Sequence, residues 1–273
     1  MTGVMRTVLY VPANRDGAVA RARGLDVDAV ILDLEDAVQP EDKEKARELA
    51  WLAIVSDTWR APSRMIRVNG LSTPWAEGDF ETARSLVLAA VVVPKVESEA
   101  EAARAVAMNE GRPIWAMIET PKGVLAAAEI AAVPGVTALM AGLADMGVEL
   151  RAQADAGRSA FQYALGAILM AARAAGILAI DGVYADIRDG DGFLAEARQG
   201  RMLGFDGKSL IHPDQVAPCM TAFAPSAQEL SDAKGMIAAY ETALAQGRGV
   251  ATYKGRMVEV LHVAEARRLL GLA

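Results

Sequence analysis

Cysteine is almost missing from this chain. Cys219 stands alone among 273 residues, which excludes an internal disulfide and a cysteine-rich metal site and makes a reducing cytoplasm the expected compartment. Histidine is nearly as scarce, and His212 and His262, with no cysteine nearby, do not compose a zinc site. Aromatic residues make up 5% of the chain while 53% is apolar, so the core must be built from Ala, Val, Leu and Ile, and disorder of the whole chain is excluded. Basic residues are outnumbered, 28 Lys and Arg against 35 Asp and Glu, and the formal charge of -7 argues against a nucleic-acid surface. No membrane span is expected, because the longest uncharged stretch, near Ile130 to Ala144, is broken by Pro134-Gly135; nor is a signal peptide. The Gly-x-Ser-x-Gly elbow is absent, and the one loose dinucleotide match, Gly190-Asp-Gly192, precedes no apolar strand.

What the chain has is alternation. Eight short apolar runs, Val8–Pro12, Ala29–Leu34, Met65–Val68, Ala89–Val93, Ile114–Ile118, Val136–Met140, Leu178–Val183 and Gly207–Ile211, are separated by Ala-, Glu- and Arg-rich helical stretches such as Asp42–Ile54 and Ser98–Met108. The runs are continuously apolar, as strands of a parallel sheet covered on both faces are. Eight such units in a chain near the ~250 residues of one α/β barrel predict a (β/α)8 TIM barrel, an open doubly wound sheet being the alternative. After Pro213 the pattern changes to a helix over Ala227–Gln246, a loop at Gly247-Arg-Gly249 and a short helix near Ala264–Leu270. Residues 1–213 are therefore expected to form the barrel core and 214–273 a C-terminal helical lid extension of the same domain.

Barrel enzymes place their chemistry on the loops that follow the strands. Four strand ends here are unusually polar: Asp33-Leu-Glu35-Asp36, Arg67-Val-Asn69, Glu119-Thr120 and Gly142-Leu-Ala-Asp145. Acidic groups converging on one mouth suit Mg2+, which takes a few carboxylate oxygens and fills its other positions with water or substrate. Glu119 and Asp145, on successive strands, are the expected metal ligands. Asp145 alone reads equally well as a helix cap. Glu119 is poor cap chemistry, since it follows Ile-Trp-Ala-Met-Ile and precedes Thr-Pro-Lys-Gly. Arg67 either pairs with Glu35 or Asp36 or offers its fork to a carboxylate or thioester oxygen. Lys95 carries a rival mechanism, a Schiff base.

These segments, in order, carry a family resemblance. Val11-Pro-Ala-Asn-Arg15, Ile31-Leu-Asp-Leu-Glu-Asp36, Arg67-Val-Asn69, Pro94-Lys-Val-Glu97, Ile118-Glu-Thr120 with Gly123, Asp181-Gly-Val-Tyr184 and Gly204-Phe-Asp-Gly-Lys-Ser-Leu-Ile-His-Pro213 resemble the citrate lyase β-subunit family, which includes malyl-CoA and citramalyl-CoA lyases. The resemblance implies Mg2+ on Glu119 and Asp145, a substrate contact from Arg67, and retro-Claisen cleavage of a short 3-hydroxyacyl-CoA to a small keto acid and a thioester. Glu35, Asp36 and Glu119 are expected beside Arg67 in substrate binding, and Arg15 reads equally well as a substrate or CoA contact and as plain surface. It also implies a homotrimer or dimer of trimers. In relatives a lid aspartate protonates the enolate; the matching residue in Lys254-Gly-Arg-Met-Val-Glu259 is Glu259, one methylene longer. Asn14 is a second departure, standing where relatives often carry aspartate. Two other readings stay open: a citrate lyase subunit working on an acyl-carrier-protein thioester in a complex, and a CoA-binding relative with reduced turnover.

Overall fold

The computed structural model describes residues 5–56, 59–153 and 155–271. Eight parallel strands, β1 (Thr7–Pro12), β2 (Ala29–Asp33), β3 (Ser63–Arg67), β4 (Ala90–Val93), β5 (Ile114–Ile118), β6 (Val136–Ala141), β7 (Leu178–Asp181) and β8 (Gly207–Leu210), pair in sequence order, and β8 returns to β1 to close a barrel. The expected strands thus form, with ends shifted by a residue or two. Helices α1 (Asp16–Arg23), α2 (Lys43–Val55), α3 (Ala76–Arg84), α4 (Glu99–Met108), α5 (Pro121–Leu125), α6 (Ala127–Ala132), α7 (Leu143–Leu150), α8 (Gln162–Ala175) and α9 (Gly190–Leu203) fill the connections. Three begin on side-chain caps, Ser98 accepting the Glu101 N–H, Thr120 the Gly123 N–H and Asp189 the Gly192 N–H.

Strand side chains alternate between two faces. One set, including Val8, Ala29, Ile31, Met65, Trp115, Met117, Met140 and Ile180, packs as a core of its own within the barrel. The other, including Leu9, Val30, Leu32, Ile66, Val91 and Ile114, packs with the helices in a second layer. This parity places the site. Two residues beyond Val8 is Tyr10, beyond Ile31 is Asp33, beyond Met65 is Arg67 and beyond Met117 is Glu119, so the alternation that buries the apolar residues lifts these four polar ones to the inner rim.

The first compact unit runs to Phe223, ten residues past the boundary expected at Pro213, because helix α10 (Val216–Phe223) packs on α9, β1 and β8. The second unit, Ala224–Ala273, contains helix α11 (Ala227–Ala245), strands β9 (Ala251–Tyr253) and β10 (Arg256–Val258), and helix α12 (Val260–Leu269) around Ala243, Ala251, Val258 and Val263. The antiparallel hairpin β9–β10 turns at Lys254-Gly255, with φ of 48° and 74°; positive φ at both central residues is the mark of a type I′ turn. Among the described residues no helix is long and apolar enough to cross a membrane.

Candidate active site

Arg67, at the end of β3, is 8% exposed, and a charge so buried must be compensated. Asp33 does most of this. Its carboxylate takes the fork side-on, Nε to Oδ1 at 2.6 Å and Nη2 to Oδ2 at 2.7 Å, while the same oxygens accept the N–H groups of Glu35 (3.0 Å) and Ala37 (3.2 Å). The remaining edge, Nη1, lies 2.8 Å from Glu35 Oε2 and 3.5 Å from Asp36 Oδ2. Contact with Glu35 is off-axis, so Oε2 remains buried without a hydrogen bond. Below the guanidinium lies the Tyr10 ring, centroid 4.9 Å from Cζ, a cation–π contact.

Glu119 follows β5 and is 3% exposed. Thr120 caps α5, which leaves Glu119 free to turn inward, where Oε1 accepts the backbone N–H of Lys95 at 2.7 Å. Burial, then the Glu35 and Asp145 carboxylates, push the Glu119 carboxyl up to about 7 against the Lys95 hydrogen bond and Arg67. Lys95 holds a left-handed backbone, φ 51°, uncommon outside glycine and enriched at functional sites. Its ammonium sits 3.5 Å from Glu35 Oε1 and 3.6 Å from Asp145 Oδ2. Burial pulls the Lys95 ammonium down, but Glu35, Asp145, Asp36 and Glu119 together hold it above its ordinary value. A Schiff-base lysine must reach the neutral amine, so this surrounding argues against the aldolase mechanism.

Asp145 lies in the first turn of α7, whose N-cap is Gly142 and which makes no side-chain cap hydrogen bond, so the capping role is not taken. A cavity of about 380 Å3 is lined by Tyr10, Arg67, Asp36, Glu119 and Asp145, with Met117, Leu143, Val183 and Ile211 as apolar wall. The barrel therefore brings Asp36, Arg67, Glu119 and Asp145 together, with Glu35 beside them. Arg15 stands apart: it is exposed, precedes α1, and lines none of this cavity. Glu259 belongs to the second unit, where its backbone N–H donates to His262 Nδ1 at 3.0 Å. Asp33 and Tyr10 also line the cavity and were not singled out by the strand-end reading, although inward parity marks both.

Among the described residues no three His, Cys, Asp or Glu are placed to cage a metal. Two carboxylates facing one cavity still suit Mg2+, which keeps water and substrate oxygens in its shell and rarely uses an all-protein cage. The donor set fits in charge as well. Asp33, Glu35, Asp36, Glu119 and Asp145 converge against Arg67 and Lys95, and the Lys95 ammonium already sits between Glu35 and Asp145 as a cation would.

Gly142 is part of this construction. Its φ of -114° suits any residue, but an added Cβ would lie 2.5 Å from Glu119 Oε2. Gly142→Ala should therefore displace Glu119 and lower metal-dependent turnover by about 10-fold or more, a small misplacement being costly in a positioned site. Thermal melting and an Mg2+ titration of activity check this; unchanged activity at every Mg2+ concentration would refute it.

Two motif segments lie elsewhere. Asn69 donates its N–H and Nδ2 to Asp79, which also holds Arg47. Lys208 is fully buried, its Nζ bonding Asp181, Gly182 and Glu196, and Arg158 completes the cluster on Asp181 at 2.7 Å. These residues tie β7 and β8 to α9 and the loop before α8, which accounts for the motifs without assigning them chemistry.

Known proteins repeat this arrangement over the whole chain. A (3S)-malyl-CoA thioesterase from Cereibacter sphaeroides is 42% identical over 98% of this chain and 94% of its own length. Citrate lyase subunit beta from Leuconostoc mesenteroides is 35% identical over 98% and 93%. The crystal structure of CitE from Mycobacterium tuberculosis in complex with magnesium, acetoacetate and coenzyme A superposes with a TM-score of 0.85 at 31% identity, covering 100% of this chain and 99% of that one. The family model described as HpcH/HpaI aldolase/citrate lyase matches residues 6–213, the whole strand set of the barrel, and the chain belongs to this lyase-type enzyme family.

Proposed function

We propose that this protein cleaves a short 3-hydroxyacyl-CoA of the malyl, citramalyl or citryl type in a Mg2+-dependent retro-Claisen reaction, giving a keto acid and acetyl-CoA. The observation that carries the reading is the buried, Asp33-tethered Arg67 facing Glu119 and Asp145 around one cavity. When bound by Glu119 and Asp145, Mg2+ supplies Lewis-acid polarisation of substrate oxygens. Support comes from relatives: solved structures of CitE from M. tuberculosis hold magnesium with pyruvate or with oxaloacetate.

The chain's own residues do the rest. Glu35 Oε2, buried and without a hydrogen bond, receives the substrate hydroxyl as donor. As the hydroxyl proton passes to the Glu35 carboxylate and the carbon–carbon bond breaks, the bond's electron pair goes to the thioester enolate, negative charge gathers on its oxygen, and the preorganised Arg67 meets it without having to reorient. Met117, Leu143, Val183 and Ile211 keep the cavity wall dry, which strengthens that interaction. The resemblance assigns the proton that quenches the enolate to the lid position of a neighbouring subunit in a trimer, the position that Glu259 matches.

A second reading has its own support, since the 42%-identical relative is called a thioesterase. Hydrolysis of the same substrate gives the hydroxy acid and free CoA. A panel of malyl-, citramalyl- and citryl-CoA, with Mg2+ or EDTA, separates the two when keto acid and free thiol are measured in parallel. Metal-dependent keto acid in step with acetyl-CoA is the expected result. Thiol release without keto acid would establish the hydrolase, and silence would favour the carrier-protein subunit.

A further inference from the structure

The cavity floor carries a hydroxyl with no strong acceptor. Tyr10 follows Val8 on the inner face of β1 and reaches across the barrel, where among the described residues its OH finds only Met117 Sδ at 3.5 Å. A thioether is a weak acceptor, and a phenol turned inward, as this half-buried one is, ordinarily finds an oxygen nearer 2.7–2.8 Å. Ser209, which lines the same cavity, already donates to the Asp181 carbonyl at 2.8 Å. Tyr10 is therefore the hydroxyl left over. Burial holds this phenol well above its ordinary value against the pull of Arg67, so it remains a donor throughout the working pH range.

We propose that Tyr10 recognises the substrate: its hydroxyl leaves Met117 and donates to an oxygen, carboxylate or carbonyl, of the small-acid part of the substrate at the cavity floor. The ring, stacked on Arg67, holds the guanidinium plane. This deepens the function proposed above and rests on it. It also sets a preference, because a substrate that places a methyl group at the floor strands the hydroxyl, and sites built to donate a hydrogen bond discriminate against analogues that cannot accept it.

Tyr10→Phe separates hydroxyl from ring. Calorimetric titration of pyruvate in the presence of Mg2+ should show about 10-fold weaker binding in this variant, the effect of one lost hydrogen bond to a charged or polarised oxygen. Affinity for Mg2+ alone and the melting temperature should match the wild-type protein. Equal pyruvate affinity in Tyr10→Phe overturns the proposal while leaving the site intact. A wild-type protein that with Mg2+ binds none of glyoxylate, pyruvate and oxaloacetate, the keto acids that cleavage of the three candidate thioesters would give, removes the functional reading itself, and this proposal with it.

Discussion

The Glu119→Ala protein is expected to retain its fold and to lose Mg2+-dependent turnover by at least about 100-fold, since even partners one step removed from a metal cost 10–100-fold. The fold should survive because the carboxyl contributes little net stability. Its removal forfeits one hydrogen bond from Lys95, worth about 1 kcal/mol, and relieves a carboxyl that burial and two neighbouring carboxylates disfavour. The sign of the pH dependence follows. Glu119 titrates near 7 when folded and near the ordinary carboxylate value of 4.5 when unfolded, so between these pH values the folded state holds the extra proton. Stability of the metal-free protein is then greatest below 4.5 and declines as pH rises through 7, by up to about 3 kcal/mol from this group. Melting curves in EDTA across that window should slope in the wild type and flatten in Glu119→Gln. Wild-type turnover in Glu119→Ala would remove the residue from the site; an unchanged slope in Glu119→Gln would assign the titration to another group.

How much of this was legible beforehand depends on the signal each feature leaves. The barrel was readable because its signal is long and redundant: eight buried runs, each separated by a helical stretch, tolerate errors of a residue at any end. Glu119 stood out because an acid directly after an apolar strand contradicts burial unless it faces something polar, whereas Asp145, four residues past the end of β6, read equally well as a helix cap. The hairpin at Ala251–Tyr253 and Arg256–Val258 was not readable, since three-residue strands are too short to show a period of two, and Gly255 marks a turn only once its partner strands are known. Lys95 shows a different limit. Its left-handed backbone, which aims an N–H at Glu119, leaves no trace in residue identity. Lys208 and Asp181 show the converse, a motif whose charges point outward from the strands and serve packing. Asp33 was visible as one of three acids within four residues, and only the parity set by Ala29 and Ile31 distinguishes it as the one that shares the barrel interior with Arg67.

That distinction makes the largest stability prediction. Asp33 is 2% exposed and accepts four hydrogen bonds, two from Arg67 and two from the backbone of the loop that carries Glu35 and Asp36. In Asp33→Asn one acceptor oxygen becomes an NH2 group that must face a donor, either the guanidinium or a backbone N–H. Arg67 keeps Glu35 and Asp36 on its other edge, so its charge is not orphaned, but its orientation is no longer fixed. A buried donor left facing another donor costs about 1–3 kcal/mol, and more where one of them is charged, as Arg67 is. In a unit of this size that lowers the melting temperature by several degrees. Turnover should fall by about 100-fold in kcat, because the arginine then has to be oriented during the reaction instead of before it. A double-mutant cycle separates this from general damage: in an Arg67→Met background, Asp33→Asn should cost far less stability than in the wild type, since the partner it tethers is gone. Equal costs in both backgrounds would mean that Asp33 acts through the Glu35–Ala37 loop alone and that Arg67 is held by something else.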